Sequence, residues 1–238
     1  MLRTKRYIWI VAAGVCGVAL CYLIAEQCRW SVIPRMKIRQ YLSSHTVRKL
    51  QIGAGGYDPA GWLNTDIEPA SGEAFLDASK AFPIPDQSLS YVFSEHVFEH
   101  LTYDEGLVML RECYRTLRPG GRIRLATPNL LKLVQLFQET KTDAVRSYMS
   151  DKIKAHGWPK EPTPECFILN LELRTWGHKF VYDPATLIGS LKRAGFQAIA
   201  EFAPGESDDP QLAGIDLRHR TFRSVNDYET MVFQAIRP

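Results

Sequence analysis

The sequence predicts an α/β fold: an open, mostly parallel seven-stranded sheet with helices on both faces, plus an N-terminal transmembrane helix. Three observations predict it. From residue 47 onward, short apolar runs alternate with segments of helical period, the pattern of β–α–β crossovers. The first run ends in Gly53-Ala54-Gly55-Gly56, a glycine loop at a strand end. Residues 7–25 form 19 consecutive residues without a charge.

That uncharged run would span about 28 Å as a helix, close to the roughly 30 Å of a bilayer core. Arg3, Lys5 and Arg6 precede it, Glu26 and Arg29 follow it, and Trp9, Tyr22 and Trp30 suit the two interfaces. A cleaved signal peptide is the alternative. The run is longer than the usual apolar region of a signal, and Leu23 is too large for the −3 position of a cleavage after Ala25. The expectation is a membrane anchor over 1–25, a basic linker over 26–46 and one domain over 47–238. Basic residues are nearly balanced across the span, so charge does not orient it.

Within the domain, strands are expected at 47–52, 62–67, 90–94 and 123–127, and a third strand should end near Asp77. The loop 82–86 holds two prolines, which remove donors and fix φ. Thr102 and Glu105 make a capping box for a helix with Leu107, Leu110, Tyr114 and Leu117 along one face. Pro119-Gly120-Gly121 ends it. Residues 130–137 read as helix. Residues 141–175 read as irregular apart from a polar helical piece at 143–155, and 130–180 as a cap inserted over one end of the sheet. Asp183-Pro184 starts a last helix that stops at Gly195. Strands at 198–202 and Thr230–Ile236 close the chain.

The chain has 238 residues, 45% hydrophobic and 23% charged, which excludes disordered, collagen-like and disulfide-scaffold classes. Its net charge of +3 divides unevenly. Residues 1–49 hold nine Lys or Arg and one acid, whereas 50–238 hold 20 basic and 25 acidic residues. The domain itself is therefore acidic, which excludes a nucleic-acid footprint. Cys113 and Cys166 alone fall in the domain, too few for a disulfide framework.

Several motifs carry chemistry. Glycines at 53, 55 and 56 let a backbone approach a ligand. Asp66 follows Gly55 by only 11 residues, so the helix of the first crossover must be very short or lost, unlike a dinucleotide site. A carboxylate at that strand end can accept both hydroxyls of a ribose, and Asp77 can accept from the exocyclic amine of adenine. His96-x-x-Glu99-His100 matches a zinc-protease pattern, but a helix of five or six residues is a poor platform, and no metal is expected. Tyr148-x-x-x-Lys152 matches the dehydrogenase pair by chance.

In this order and spacing, the set resembles class I S-adenosylmethionine-dependent methyltransferases, a Rossmann-like fold. It comprises the glycine loop, Asp66, Asp77-Ala78, the loop 82–86, Ser94 to Leu101, Leu117 to Gly121, Thr127-Pro128-Asn129 and Ala194-Gly195-Phe196. The closest likeness is to the type-11 methyltransferase domain, and Gly61 to Asp66 looks like a predicted bacterial subgroup. The resemblance implies S-adenosylmethionine as cofactor. Gly53, Ala54 and Gly55 would lie beside its methionine part, Asp66 would hold the ribose, and Asp77 and Ala78 would bracket the adenine. Ser94 and Glu95 would lie near the methyl group. His178, His96 and Glu95 are the candidate catalytic residues, with His178 the favoured base and His100 a structural tie. The expected acceptor is a small or membrane-borne molecule, such as a lipid-linked sugar. Because the donor is cytosolic, the expected location is a single-pass membrane protein with its catalytic domain on the cytoplasmic side. A membrane-anchored scaffold with a degenerate cofactor pocket is the alternative.

Overall fold

The computed structural model describes residues 31–158, 164–216 and 228–238. Seven strands form one sheet: β1 (Lys49–Ile52), β2 (Leu63–Asp66), β3 (Ala74–Phe75), β4 (Leu89–Glu95), β5 (Leu117–Pro128), β6 (Gln197–Phe202) and β7 (Thr230–Ile236). Their order across the sheet is β3-β2-β1-β4-β5-β7-β6. Strands β1 to β5 pair in parallel, and β7 runs antiparallel to both β5 and β6. The seven-stranded, mostly parallel sheet agrees with the sequence reading.

The order reverses at β1, which has β2 on one side and β4 on the other. A crevice opens at such a switch point, beyond the carboxyl ends of the strands. Between β1 and β2 the chain makes only turns, with the Tyr57 N–H donating to the Ala54 carbonyl. The crossover helix is absent, as the 11-residue spacing required.

The two faces of the sheet differ. Leu50, Leu63, Val92 and Ile123 lie in register on one face and are buried in the main core. Helices α2 (Tyr103–Thr116) and α6 (Pro184–Ala194) add Met109, Leu110, Cys113, Leu187 and Leu191 to that core. The capping box forms at Thr102 and Glu105, and Asp183 and Gly195 cap the two ends of α6. On the opposite face, Gln51, Phe93, Arg124 and Gln234 lie in register. Among the described residues it is covered not by a helix but by the segment 203–216, which packs Leu212 and Ile215 on Trp62 and Phe93. The fully buried Arg124 is matched there by Asp216 at 2.7 Å and by the Glu206 carbonyl at 2.8 Å. The expectation of helices on both faces is corrected: α/β crossovers too short to hold a helix leave that face to a loop tied by ion pairs.

Two further segments depart from the sequence reading. Part of the expected linker is helix α1 (Ile33–Ser44), which buries Pro34, Ile38, Tyr41 and Leu42. Its Tyr41 hydroxyl donates to the Gly61 carbonyl and accepts from the Lys49 N–H, tying it to the start of the sheet. In the stretch 141–175, α4 (Asp143–His156) falls where a polar helical piece was expected, and α3 (Leu130–Gln135) precedes it as expected, but α5 (Pro164–Arg174) is a helix in what read as irregular. These three bury Leu133, Leu136, Val145, Tyr148, Met149 and Ile168 in a second, smaller core with Tyr228.

The expectation of a transmembrane helix, and with it a single-pass membrane protein facing the cytoplasm, is also corrected. No helix among the described residues is long and apolar enough to cross a membrane. The longest, α2 and α4, have 14 residues each, about 21 Å of helix against a core of about 30 Å. The run 7–25 that raised the expectation lies outside the described residues.

Candidate active site

The glycine loop leaves β1 with three positive φ values, 75° at Gly53, 51° at Gly55 and 80° at Gly56, a conformation open chiefly to glycine. Gly53 is also tightly packed. A Cβ there would lie 2.0 Å from Val97 Cγ2. Without a crossover helix, the loop is held by carboxylates. Asp66 at the end of β2 accepts from the Gly55 N–H at 2.9 Å, and Glu73 accepts from the Gly56 N–H at 3.0 Å. Gly53 and Ala54 donate to the Thr65 carbonyl. Glu73 is buried, its other oxygen accepting from the Ala70 N–H, so it is Asp66 that shows a ligand negative charge where free N–H groups would otherwise lie. That suits a cationic ligand and not a pyrophosphate, which needs the N–H groups itself.

Asp66 is half-buried, and its other oxygen accepts from the Glu68 N–H. Each oxygen keeps a lone pair for a further donor. Beyond β3, Asp77 lines a cavity of 260 Å³ with Phe75, Leu76, Ala81, Pro83 and Pro34. Ala78 is buried beside it. Burial works against the Asp77 charge, but Lys80 at 2.8 Å and the Ser79 hydroxyl and N–H outweigh it, and the carboxyl stays below its ordinary range.

Ser94 and Glu95 end β4 and are both buried. Ser94 lies in register with Ile52, the last residue before the glycine loop. His96 follows with a φ of 51°. Its Nδ1 is 2.9 Å from Glu99 Oε1, and the second Glu99 oxygen accepts from the Thr127 hydroxyl at 3.0 Å. Burial alone would lower His96, but Glu99, with Glu229 and Glu95 behind it, raises it to about 9. The ion pair with Glu99 thus favours the charged imidazole of His96.

His100 lies in the short 3-10 turn Phe98–His100 and packs edge-on against His178, with 4.8 Å between ring centroids. The chain after α5 reaches it because the Lys179 and Phe180 N–H groups both donate to the Glu99 carbonyl. Burial holds His100 below its ordinary value, which favours its neutral form. His178 Nδ1 contacts the Glu172 carbonyl. The structure thus brings His178 to His100, while His96 turns away to Glu99.

Sequence reasoning missed a buried charge cluster beside this pair. Lys152 on α4 contacts Glu172 on α5 at 2.6 Å and Glu229 before β7 at 3.1 Å. The Tyr148 hydroxyl donates to Glu229 at 2.6 Å. Burial, then the Glu229 charge, raises Glu172 to about 7, against the pull of Lys152. The one sequence signal was the helical spacing of Tyr148 and Lys152, which puts both on the same face of α4.

Residues 68–125 match the type-11 family model, a methyltransferase domain. No curated protein matches the chain. Among solved structures, a SAM dependent methyltransferase from Archaeoglobus fulgidus aligns at 16% identity, covering 90% of this chain and 99% of that one, with a TM-score of 0.45. An S-adenosylmethionine dependent methyltransferase from Mesorhizobium loti aligns at 17% identity over 80% and 91%, with a TM-score of 0.46. The matched stretch, a methyltransferase domain by its family model, includes Asp77, Ser94, Glu95 and His96.

Proposed function

We propose that this chain transfers a methyl group to a small-molecule acceptor held between the strand ends and α3–α5. The observation that carries the reading is the partly exposed Asp66 carboxylate at the glycine loop. It makes the switch-point crevice a place for a cation that also carries a ribose. When bound, S-adenosylmethionine supplies an electrophilic methyl on a sulfonium.

Gly53, Ala54 and Gly55 would lie beside the methionine part of the cofactor. Asp66 would accept from the ribose hydroxyls. Asp77 and Ala78 border the slot for the adenine, whose walls Phe75, Leu76 and Pro83 are apolar. Ser94 and Glu95 face the reacting centre from the end of β4. Helices α3 to α5 form a cap that excludes water and aligns the acceptor, the main contribution a protein can make to a displacement. Where the acceptor must lose a proton, His178 takes it, steadied by the Glu172 carbonyl. His96 is a positioning residue: its charge locks Glu99, whose carbonyl anchors the His178 segment.

Calorimetric titration of S-adenosylmethionine and its demethylated product into the full chain tests this. Micromolar binding, weakened about 10- to 100-fold by Asp66→Ala, is expected for loss of hydrogen bonds to a charged acceptor. A folded chain that binds neither compound would overturn the reading.

A further inference from the structure

We propose that Glu99, His100 and His178 form a site for a divalent transition-metal ion of the zinc type. Each offers one ligand atom, and the three atoms lie within 4.8 Å of one another. Two imidazoles and one carboxylate are a common zinc donor set that leaves a fourth position open. Ligand atoms around zinc lie about 3.3 Å apart, so small side-chain rotations close the site.

The surroundings of the three residues are those of a metal site. His178 Nδ1 is turned to the Glu172 carbonyl and one His100 nitrogen to the Trp176 carbonyl. In each ring the N–H is thereby spent on a backbone oxygen, and the other nitrogen keeps its lone pair. Metal-binding histidines are oriented this way. The Glu99 carboxylate is oriented in turn by His96 and Thr127, and each oxygen retains a lone pair. Two backbone bonds from Lys179 and Phe180 to the Glu99 carbonyl bring the His178 segment against the 3-10 turn. The motif His96-x-x-Glu99-His100 thus supplies two ligands, but its first histidine is replaced by His178, 78 residues after His100.

Binding is the whole of this proposal. Its consequence rests on the proposed role of His178: a bound ion takes the lone pair that would accept the acceptor's proton, so metal and proton transfer compete.

The test is titration of the full chain with cobalt(II), read by the visible absorption of tetrahedral cobalt and displaced by zinc. A saturable band at one equivalent is expected. His100→Ala and His178→Ala should each weaken it at least tenfold, the usual effect of losing a ligand or its support. His45→Ala, on a distant helix end, should leave it unchanged. Melting curves and S-adenosylmethionine binding of the variants show that they fold. No saturable band, or a band that both variants leave intact, would overturn the site. That failure would leave cofactor binding untouched, so it is distinguishable from failure of the methyltransferase reading. Conversely, Asp66→Ala should lose the cofactor and keep the cobalt band.

Discussion

The two ends of the crevice are built in different ways. The end at Gly53–Gly56, Asp66 and Asp77 is a backbone construction. Its shape comes from positive φ angles, and its Asp66 and Asp77 carboxylates are partly exposed and bonded to nearby N–H groups. The end under α3–α5 is a side-chain construction. There Lys152, Glu172, Glu229, His96 and Glu99 come from distant parts of the chain and are largely removed from water. Charge is inexpensive at the first end because water shares it. At the second, each charge depends on its partner, since an unpaired buried ion costs several kcal/mol. The cofactor end should therefore tolerate loss of a charge in stability and suffer in binding. The cap end should do the reverse.

The largest effect is expected at Lys152. It is the cation between two buried carboxylates, and Lys152→Ala leaves both uncompensated. Removing one partner of a buried pair costs about 3–5 kcal/mol. Chemical denaturation should show that loss, and Lys152→Ala with Glu172→Gln should recover part of it. A loss under 1 kcal/mol would mean that water reaches the cluster and that the contrast between the ends is false.

The next effect is on pH dependence. His96 in the folded chain titrates at about 9, above its ordinary 6.5. Its contribution is full below pH 6.5 and is lost as pH rises through 9, up to about 3 kcal/mol. Glu172, raised from 4.5 to about 7, binds a proton more tightly when folded, so its contribution falls as pH rises from 4.5 to 7. Stability should decline in two steps. His96→Gln should flatten the upper step and Glu172→Gln the lower. An upper step that survives His96→Gln would remove the His96–Glu99 ion pair from the account.

The same contrast explains what could be read from the sequence. The cofactor end follows local rules: a glycine loop after an apolar run and an acid at the next strand end lie within 14 residues, Gly53 to Asp66. The capping box and the Asp183–Gly195 helix are equally local, and β7 was placed residue for residue. The cap end joins Lys152 to Glu229 and His100 to His178, contacts that no short-range pattern encodes. Helix α5 was hidden because Pro164 reads as a breaker, although proline is at home in a first helical turn. Helix α1 was hidden by its charges, yet Pro34, Ile38, Tyr41 and Leu42 have helical spacing and all are buried.

The smallest predicted effect sharpens the account of the cofactor end. Gly53 and Gly56 have similar φ values, 75° and 80°, so alanine at either one pays the same backbone strain, about 1 kcal/mol or more. They differ in surroundings. A Cβ at Gly53 strikes Val97, whereas at Gly56 nothing lies within 4 Å. The difference between Gly53→Ala and Gly56→Ala in melting and in S-adenosylmethionine affinity thus isolates the close packing of the loop on the Val97 turn. Adding Val97→Ala to Gly53→Ala should bring it near Gly56→Ala, because the clash is relieved and the strain remains. If Gly53→Ala and Gly56→Ala are already alike, the Val97 side chain yields freely. The glycine at 53 would then serve the turn alone and not the approach of the His96 segment to the loop.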